Sequence, residues 1–230
     1  MPTRVSSPIP GSSRGSPIRR IGVPLLVLIL GGSEAGCARL GLGSDQTPTS
    51  PTTPAPGSAI TYDVVGASDA LGVGSSAVCV PYTDCPAGMS YPQIAARSLE
   101  ARGFTVSVQN LSVPTGVIGP DFRALATQYN HLVLGDFISS EAPFVRRTAT
   151  LVTVFAGGND VNVVTGALGQ GAGGSDPLAF IDRQVQAFAA DYASLLSAIR
   201  GRAPGARLVV LNVPNLAGFP FLASASLAQR

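Results

Sequence analysis

One histidine and three cysteines occur among the 230 residues, and that scarcity excludes several kinds of chemistry. A structural zinc site needs four nitrogen or sulfur ligands, and two neighbouring thiolates with one distant histidine do not supply them. Net charge is only +2 with no basic patch, which argues against a nucleic-acid partner. Gly66, Gly72 and Gly74 are spaced for neither the dinucleotide fingerprint nor the phosphate-binding P-loop, and no lysine follows them. No nucleotide or other cofactor is therefore expected. No apolar run reaches the ~20 residues needed to cross a bilayer.

What is present opens with Arg4, Arg14, Arg19 and Arg20, then the apolar stretch 21–30, then small residues ending at Ala35-Gly36-Cys37. A basic segment, a short apolar core and a small-residue exit together predict an export signal over residues 1–37. The mature chain is then expected outside the cytoplasm: secreted, periplasmic or held at a bacterial cell envelope. Ala35-Gly36-Cys37 is similar to the lipobox of bacterial lipoproteins, in which the cysteine is diacylated, although Glu34 stands where an aliphatic residue is usual. Lipidation of Cys37 with membrane attachment, plain cleavage and a free thiol all remain open.

Residues 38–58 are rich in Ser, Thr, Pro and Gly and cannot bury enough apolar surface to order themselves, so they read as a flexible tether. Residues 59–230 are enough for one domain with a proper core, expected to act as a monomer. In an exported protein Cys79 and Cys85, with five residues between them, predict a small loop-closing disulfide.

Inside this domain strand-like and helix-like segments alternate. Strands are predicted at 60–65, 104–109, 151–156 and 207–213, and helices at 92–102, 122–129 and 177–200. In the last helix Ile181, Val185, Phe188, Tyr192, Leu195, Leu196 and Ile199 fall on one face, expected to pack on a sheet, with Asp176 capping the start and Gly201 the end. The glycine-rich stretch 165–175 reads as a surface loop. Such alternation predicts an α/β fold of three layers, a parallel sheet between helices.

Two motifs about ninety residues apart then carry the chemistry: Gly66-Ala67-Ser68-Asp69 and Gly157-Gly158-Asn159-Asp160, each directly after a predicted strand. A parallel sheet brings both to the rim where open α/β sheets bind ligands. Ser68 suits a nucleophile, and Asn159 a side-chain donor to a developing oxyanion, with Gly157 allowing a sharp turn beneath it. A further donor is expected from the loop 110–116. Asp69 and Asp160 as a glycosidase pair would require a defined separation that nothing in the sequence sets.

In this order and on these elements, the two motifs resemble the blocks of the SGNH hydrolase superfamily, the GDSL-type esterases and lipases. The resemblance implies a flavodoxin-like α/β/α fold and hydrolysis of small-molecule or lipid esters. It makes Ser68 the nucleophile, and Asn159 and a second-block glycine the oxyanion donors. Three features depart from the family. Ala67 replaces the usual aspartate; Thr115 occupies the usual place of the second-block glycine, with Gly116 one residue later; and the C-terminal Asp-x-x-His that supplies the base is absent. Either the Thr115 or the Gly116 N–H would serve. The one histidine, His131, precedes the third block and reads as an ordinary loop residue. Residues 221–230 read as the entry to a helix, and the family's histidine block lies one strand and one helix beyond such a point. The resemblance thus implies that this last portion is missing and that the chain as written has little activity. A catalytically silent ester- or glycan-binding protein on the same fold is the alternative.

Overall fold

A computed structural model describes residues 54–218, 220, 223–227 and 229; the predicted export signal with Cys37, and most of the tether, lie outside the described residues. Four strands form one sheet: β1 (Ala59–Val65), β2 (Thr105–Asn110), β3 (Leu151–Val154) and β4 (Arg207–Val210). All pairings are parallel and the order is β2-β1-β3-β4. Parallel neighbours need a crossover, and helices supply it: α1 (Ser68–Leu71) and α2 (Tyr91–Glu100) lead from β1 to β2, α3 (Pro120–Gln128) and α4 (Phe137–Ser140) from β2 to β3, α5 (Gly158–Gly169) and α6 (Pro177–Arg202) from β3 to β4.

Alternation along the strands sorts the side chains into two apolar layers. Ile60, Tyr62 and Val64 face Tyr91, Ala95 and Leu99 of α2. Val65, Val152 and Val154 face the other way, toward Phe122 of α3, Val163 of α5, and Leu195 and Ile199 of α6. Helices thus cover both faces, which gives the three-layer α/β/α architecture. Burial on two sides explains why β1 and β3 are almost continuously apolar.

The observed elements depart from the sequence expectations in three places. Residues 158–169 form α5, although Gly158, Gly166 and Gly169 weaken any helical signal, so part of the stretch read as a loop is helical. Gly201 does not end α6, which runs on to Arg202 with Ala203 as its cap, whereas Asp176 does cap its start, accepting the Ala179 N–H at 3.0 Å. The apolar face of α6 also does not lie wholly on the sheet: Leu195 and Ile199 are fully buried, but Val185 is 61% exposed and lines an open groove toward α5. The Cys79–Cys85 disulfide is formed in the loop between α1 and α2, with Cα atoms 5.8 Å apart.

One charged pair crosses the sheet. Asp63, fully buried in the middle of β1, accepts the Arg146 backbone N–H and Nε–H, each at 2.6 Å, and Arg146 Nη2 lies 2.5 Å from the same carboxylate. Arg146 goes on to donate to the carbonyls of Tyr62 and Ser107, both at 2.9 Å, and so ties β1 to β2. Burial pushes the Asp63 carboxyl upward in pKa, and the bonds and charge of Arg146 pull it back. Replacing Arg146 by Met leaves a buried charge uncompensated and should cost about 3–5 kcal/mol. Adding D63N should restore much of that loss, and chemical denaturation of the two variants checks both values.

Candidate active site

Segments following all four strands converge on one cavity of about 250 Å³. Ala67, Ser68 and Asp69 come from the end of β1, Gly116 from the loop after β2, Gly157, Gly158 and Asn159 from the end of β3, and Pro214 and Leu216 from beyond β4. Phe137 and Phe155 form apolar walls. Ser68 opens α1, whose four residues are turned sharply at Gly72, at φ +81°. The turn leaves Ser68 half-buried at the rim.

Asn159 lies in the first turn of α5. Its Nδ2 donates to the Gly116 carbonyl at 2.9 Å. That bond fixes the amide plane and leaves its second N–H available. Because the start of α5 lines the same cavity, the positive end of the helix dipole adds a favourable field for negative charge. Gly157 makes this approach possible: its φ is +117°, and a Cβ there would lie 2.5 Å from Val213 Cγ2 and 3.1 Å from the Phe188 ring.

The structure separates Thr115 from Gly116. Thr115, at φ +58°, turns its hydroxyl away to accept the Leu134 N–H at 3.1 Å. Gly116 lines the cavity, and its N–H closes a tight turn onto the Val113 carbonyl at 3.0 Å. A Cβ on Gly116 would lie 2.7 Å from the Phe137 ring, so no other residue fits there without displacing the wall.

His131 does not line the cavity: it follows α3 and sits against Gly166 of α5. Asp69 and Asp160 also part company. Asp69 lines the cavity, but Asp160 is buried behind it with Oδ1 accepting the Ile118 N–H at 2.9 Å. Burial raises the Asp160 pKa from 3.8 to about 6, the Ile118 N–H works against that rise, and the Asp191 charge adds to it. Among the described residues no cluster of His, Cys, Asp or Glu is suited to hold a metal ion.

Two groups at the rim escaped sequence reasoning. Asn162 lines the cavity one helical turn beyond Asn159, a relation visible only once residues 158–169 are known to be helical. Glu141 is fully buried and accepts the N–H of Gly66 at 2.9 Å and of Val113 at 3.1 Å. Burial drives its pKa well above the usual carboxyl range, the two backbone donors lower it, and the charges of Asp69 and Asp136 raise it. Its partners are 75 and 28 residues away and both are backbone groups, so no motif could have marked it.

No protein-family model matches the chain, and neither does any curated protein. Among solved structures it is similar to an extracellular lipase from Streptomyces rimosus, at 24% identity and a TM-score of 0.45, covering 67% of this chain and 60% of that one. It is also similar to TesA, at 19% identity and a TM-score of 0.36, covering 69% and 64% of the two chains. For a phospholipase A1 from Streptomyces albidoflavus the identity is 18% and the TM-score 0.38, with 76% and 68% covered. The chain therefore spans less than two thirds of the length of the first two.

Neighbouring glycines should respond oppositely to alanine. G157A meets both a positive φ and a filled space, and should lose about 2 kcal/mol or more. At Gly158 a Cβ meets nothing within 4 Å, so G158A should be neutral or stabilising by up to about 1 kcal/mol, with thermal denaturation as the check. Asp160 predicts a pH effect. Because its folded pKa is raised, folding takes up a proton between pH 3.8 and about 6, so its contribution to stability is full below that window and lost as pH rises through it. The stability of the wild type relative to D160N should therefore fall by about 3 kcal/mol from pH 3.5 to pH 7, as read by urea denaturation at each pH.

Proposed function

We propose that this domain is an ester hydrolase working outside the cytoplasm, with Ser68 as nucleophile. The observation that supports this best is the meeting of Ser68, Gly116 and Asn159, from three different strand ends, in one cavity. In the proposed reaction Ser68 Oγ attacks the acyl carbonyl while a general base takes its proton. The carbonyl π electrons move to oxygen, and the resulting anion is held by the Ser68 N–H, the free Asn159 Nδ2–H and the Gly116 N–H, which it shares with Val113. Collapse expels the alcohol, which recovers the proton, and water then releases the acid from the acyl-serine.

Gly116 is preferred to Thr115 as the second-block donor because Gly116 lines the cavity and Thr115 does not. The apolar walls Phe137 and Phe155 suit an acyl or alkyl group beside the reacting centre. The Cys79–Cys85 disulfide agrees with an oxidising compartment, and the predicted export signal points the same way; attachment through a lipidated Cys37 belongs to this proposal. The second reading is a silent ester- or glycan-binding protein, favoured by the position of His131 against Gly166 of α5 instead of among the residues lining the cavity with Ser68.

Hydrolysis of p-nitrophenyl esters and labelling of Ser68 by a fluorophosphonate decide between them. The 230-residue chain should turn over esters three or more orders of magnitude more slowly than a product of the same gene read past the Arg230 codon to an Asp-x-x-His, and that longer product should label at Ser68. Full-rate, Ser68-dependent turnover by the 230 residues alone would show that the base has been misplaced here. A stop codon directly after Arg230, with no labelling of Ser68, would favour the silent binder.

A further inference from the structure

Glu141 belongs to neither motif, and the proposed reaction does not use it. It is fully buried, yet among the described residues neither ion pair includes it. Its two oxygens divide their work: Oε2 accepts from Gly66, two residues before Ser68, and Oε1 from Val113, three residues before Gly116. The turn that carries the nucleophile and the loop that carries an oxyanion donor are therefore joined through one carboxyl group. They meet directly once more, where the Val113 N–H also approaches the Gly66 carbonyl at 3.3 Å.

The residue type is informative. A glutamine would fill the same volume without burying a charge, but it presents one acceptor and one donor, so one of the two N–H groups would face an NH₂. A carboxyl group has acceptor lone pairs on both of its oxygens. Keeping it costs desolvation with no cation to offset it, which is not what a purely space-filling position requires. The arm is itself fixed in place. Glu141 directly follows α4, Asp136 caps that helix through the Ser139 N–H at 2.7 Å, and buried Phe137 lies against Gly116.

We infer that Glu141 is a positioning residue of the oxyanion hole, its carboxyl group setting the spacing between the Ser68 turn and the Gly116 loop. This inference rests on the ester-hydrolase proposal above for its catalytic consequence, and on the two hydrogen bonds for its structural one.

The test compares wild type, E141Q and L195A, the last a core variant that lowers stability away from the rim. Amide hydrogen exchange should quicken at Gly66, Val113 and Gly116 in E141Q at least tenfold more than global stability accounts for, and in L195A only as far as global stability falls. The residual hydrolysis of p-nitrophenyl acetate should lose at least tenfold in kcat in E141Q with KM within twofold. In an N159A background the same change should cost nothing further, since the hole is already lost. Exchange that merely tracks global stability in E141Q, or a rate loss that is additive with N159A or lies in KM alone, would overturn the inference. If S68A and N159A leave the wild-type rate unchanged, the ester-hydrolase proposal fails instead, and the exchange measurement alone decides whether Glu141 sets the spacing. Should E141Q not fold, the same readouts on E141D, which keeps both acceptors on an arm one methylene shorter, decide the matter.

Discussion

At the carboxyl end of a parallel sheet the strands stop pairing while the chain is still buried, and every N–H that leaves the ladder needs another acceptor. In this protein side chains meet that need. Glu141 takes Gly66 and Val113, Asp160 takes Ile118, Asn110 Oδ1 takes the Ser112 N–H, and Asn159 does the converse for the Gly116 carbonyl. Polar side chains from the end of β2, from α5 and from the residue after α4 thus fix the loops that border the cavity.

Using acids for this task has an electrostatic consequence. Glu141 and Asp160 are both deeply buried, and neither forms an ion pair among the described residues. Desolvation is the largest influence on each and raises both pKa values, while backbone donors pull in the opposite direction. Asp63 shows the other solution, a buried acid satisfied by an arginine, and it lies in mid-strand, where a charged partner can be accommodated without intruding on the cavity. The rim acids instead face donors that carry no side chain. They can therefore shape the loops closely without filling the space between them.

Much of the framework was legible because it depends on local periodicity. β1, β2, β3, β4, α2, α3 and α6 all lie within a few residues of where alternation, three-and-four spacing and terminal prolines put them. Parallel topology then made it foreseeable that Ser68 and Asn159 would approach the same rim. What escaped was of two kinds. α5 has three glycines and a weak apolar face, so tertiary packing of Val163 and Ala167 overrides a poor local propensity. The acids of the rim and the Asp63–Arg146 pair join residues 28 to 84 positions apart, mostly through backbone groups, and such partners have no residue type to read. Thr115 and Gly116 pose a third kind of difficulty, since the left-handed backbone of Thr115 and the place of Gly116 on the cavity distinguish two adjacent residues by geometry that no sequence pattern carries.

Ala67 ties these points together. Where the resembling family has aspartate, this chain has a small apolar residue that is buried in the main core. Ala67 stands at the N-cap of α1 and offers no side-chain acceptor, so the turn bearing Ser68 is held by its own backbone bonds, such as Val73 N–H to the Ser68 carbonyl at 2.9 Å, and by the Asp69 carboxyl, which accepts backbone N–H groups of the same turn. α1 is only four residues long and cannot hold its own shape by helical bonding alone. Further constraint comes from Gly72 at positive φ, from the burial of Ala67 and Ala70, and from Glu141, which accepts the Gly66 N–H. With no side-chain cap on α1, a residue more than seventy positions away joins the Gly66–Ser68 turn to the loop carrying Gly116, so the geometry of the one depends on that of the other.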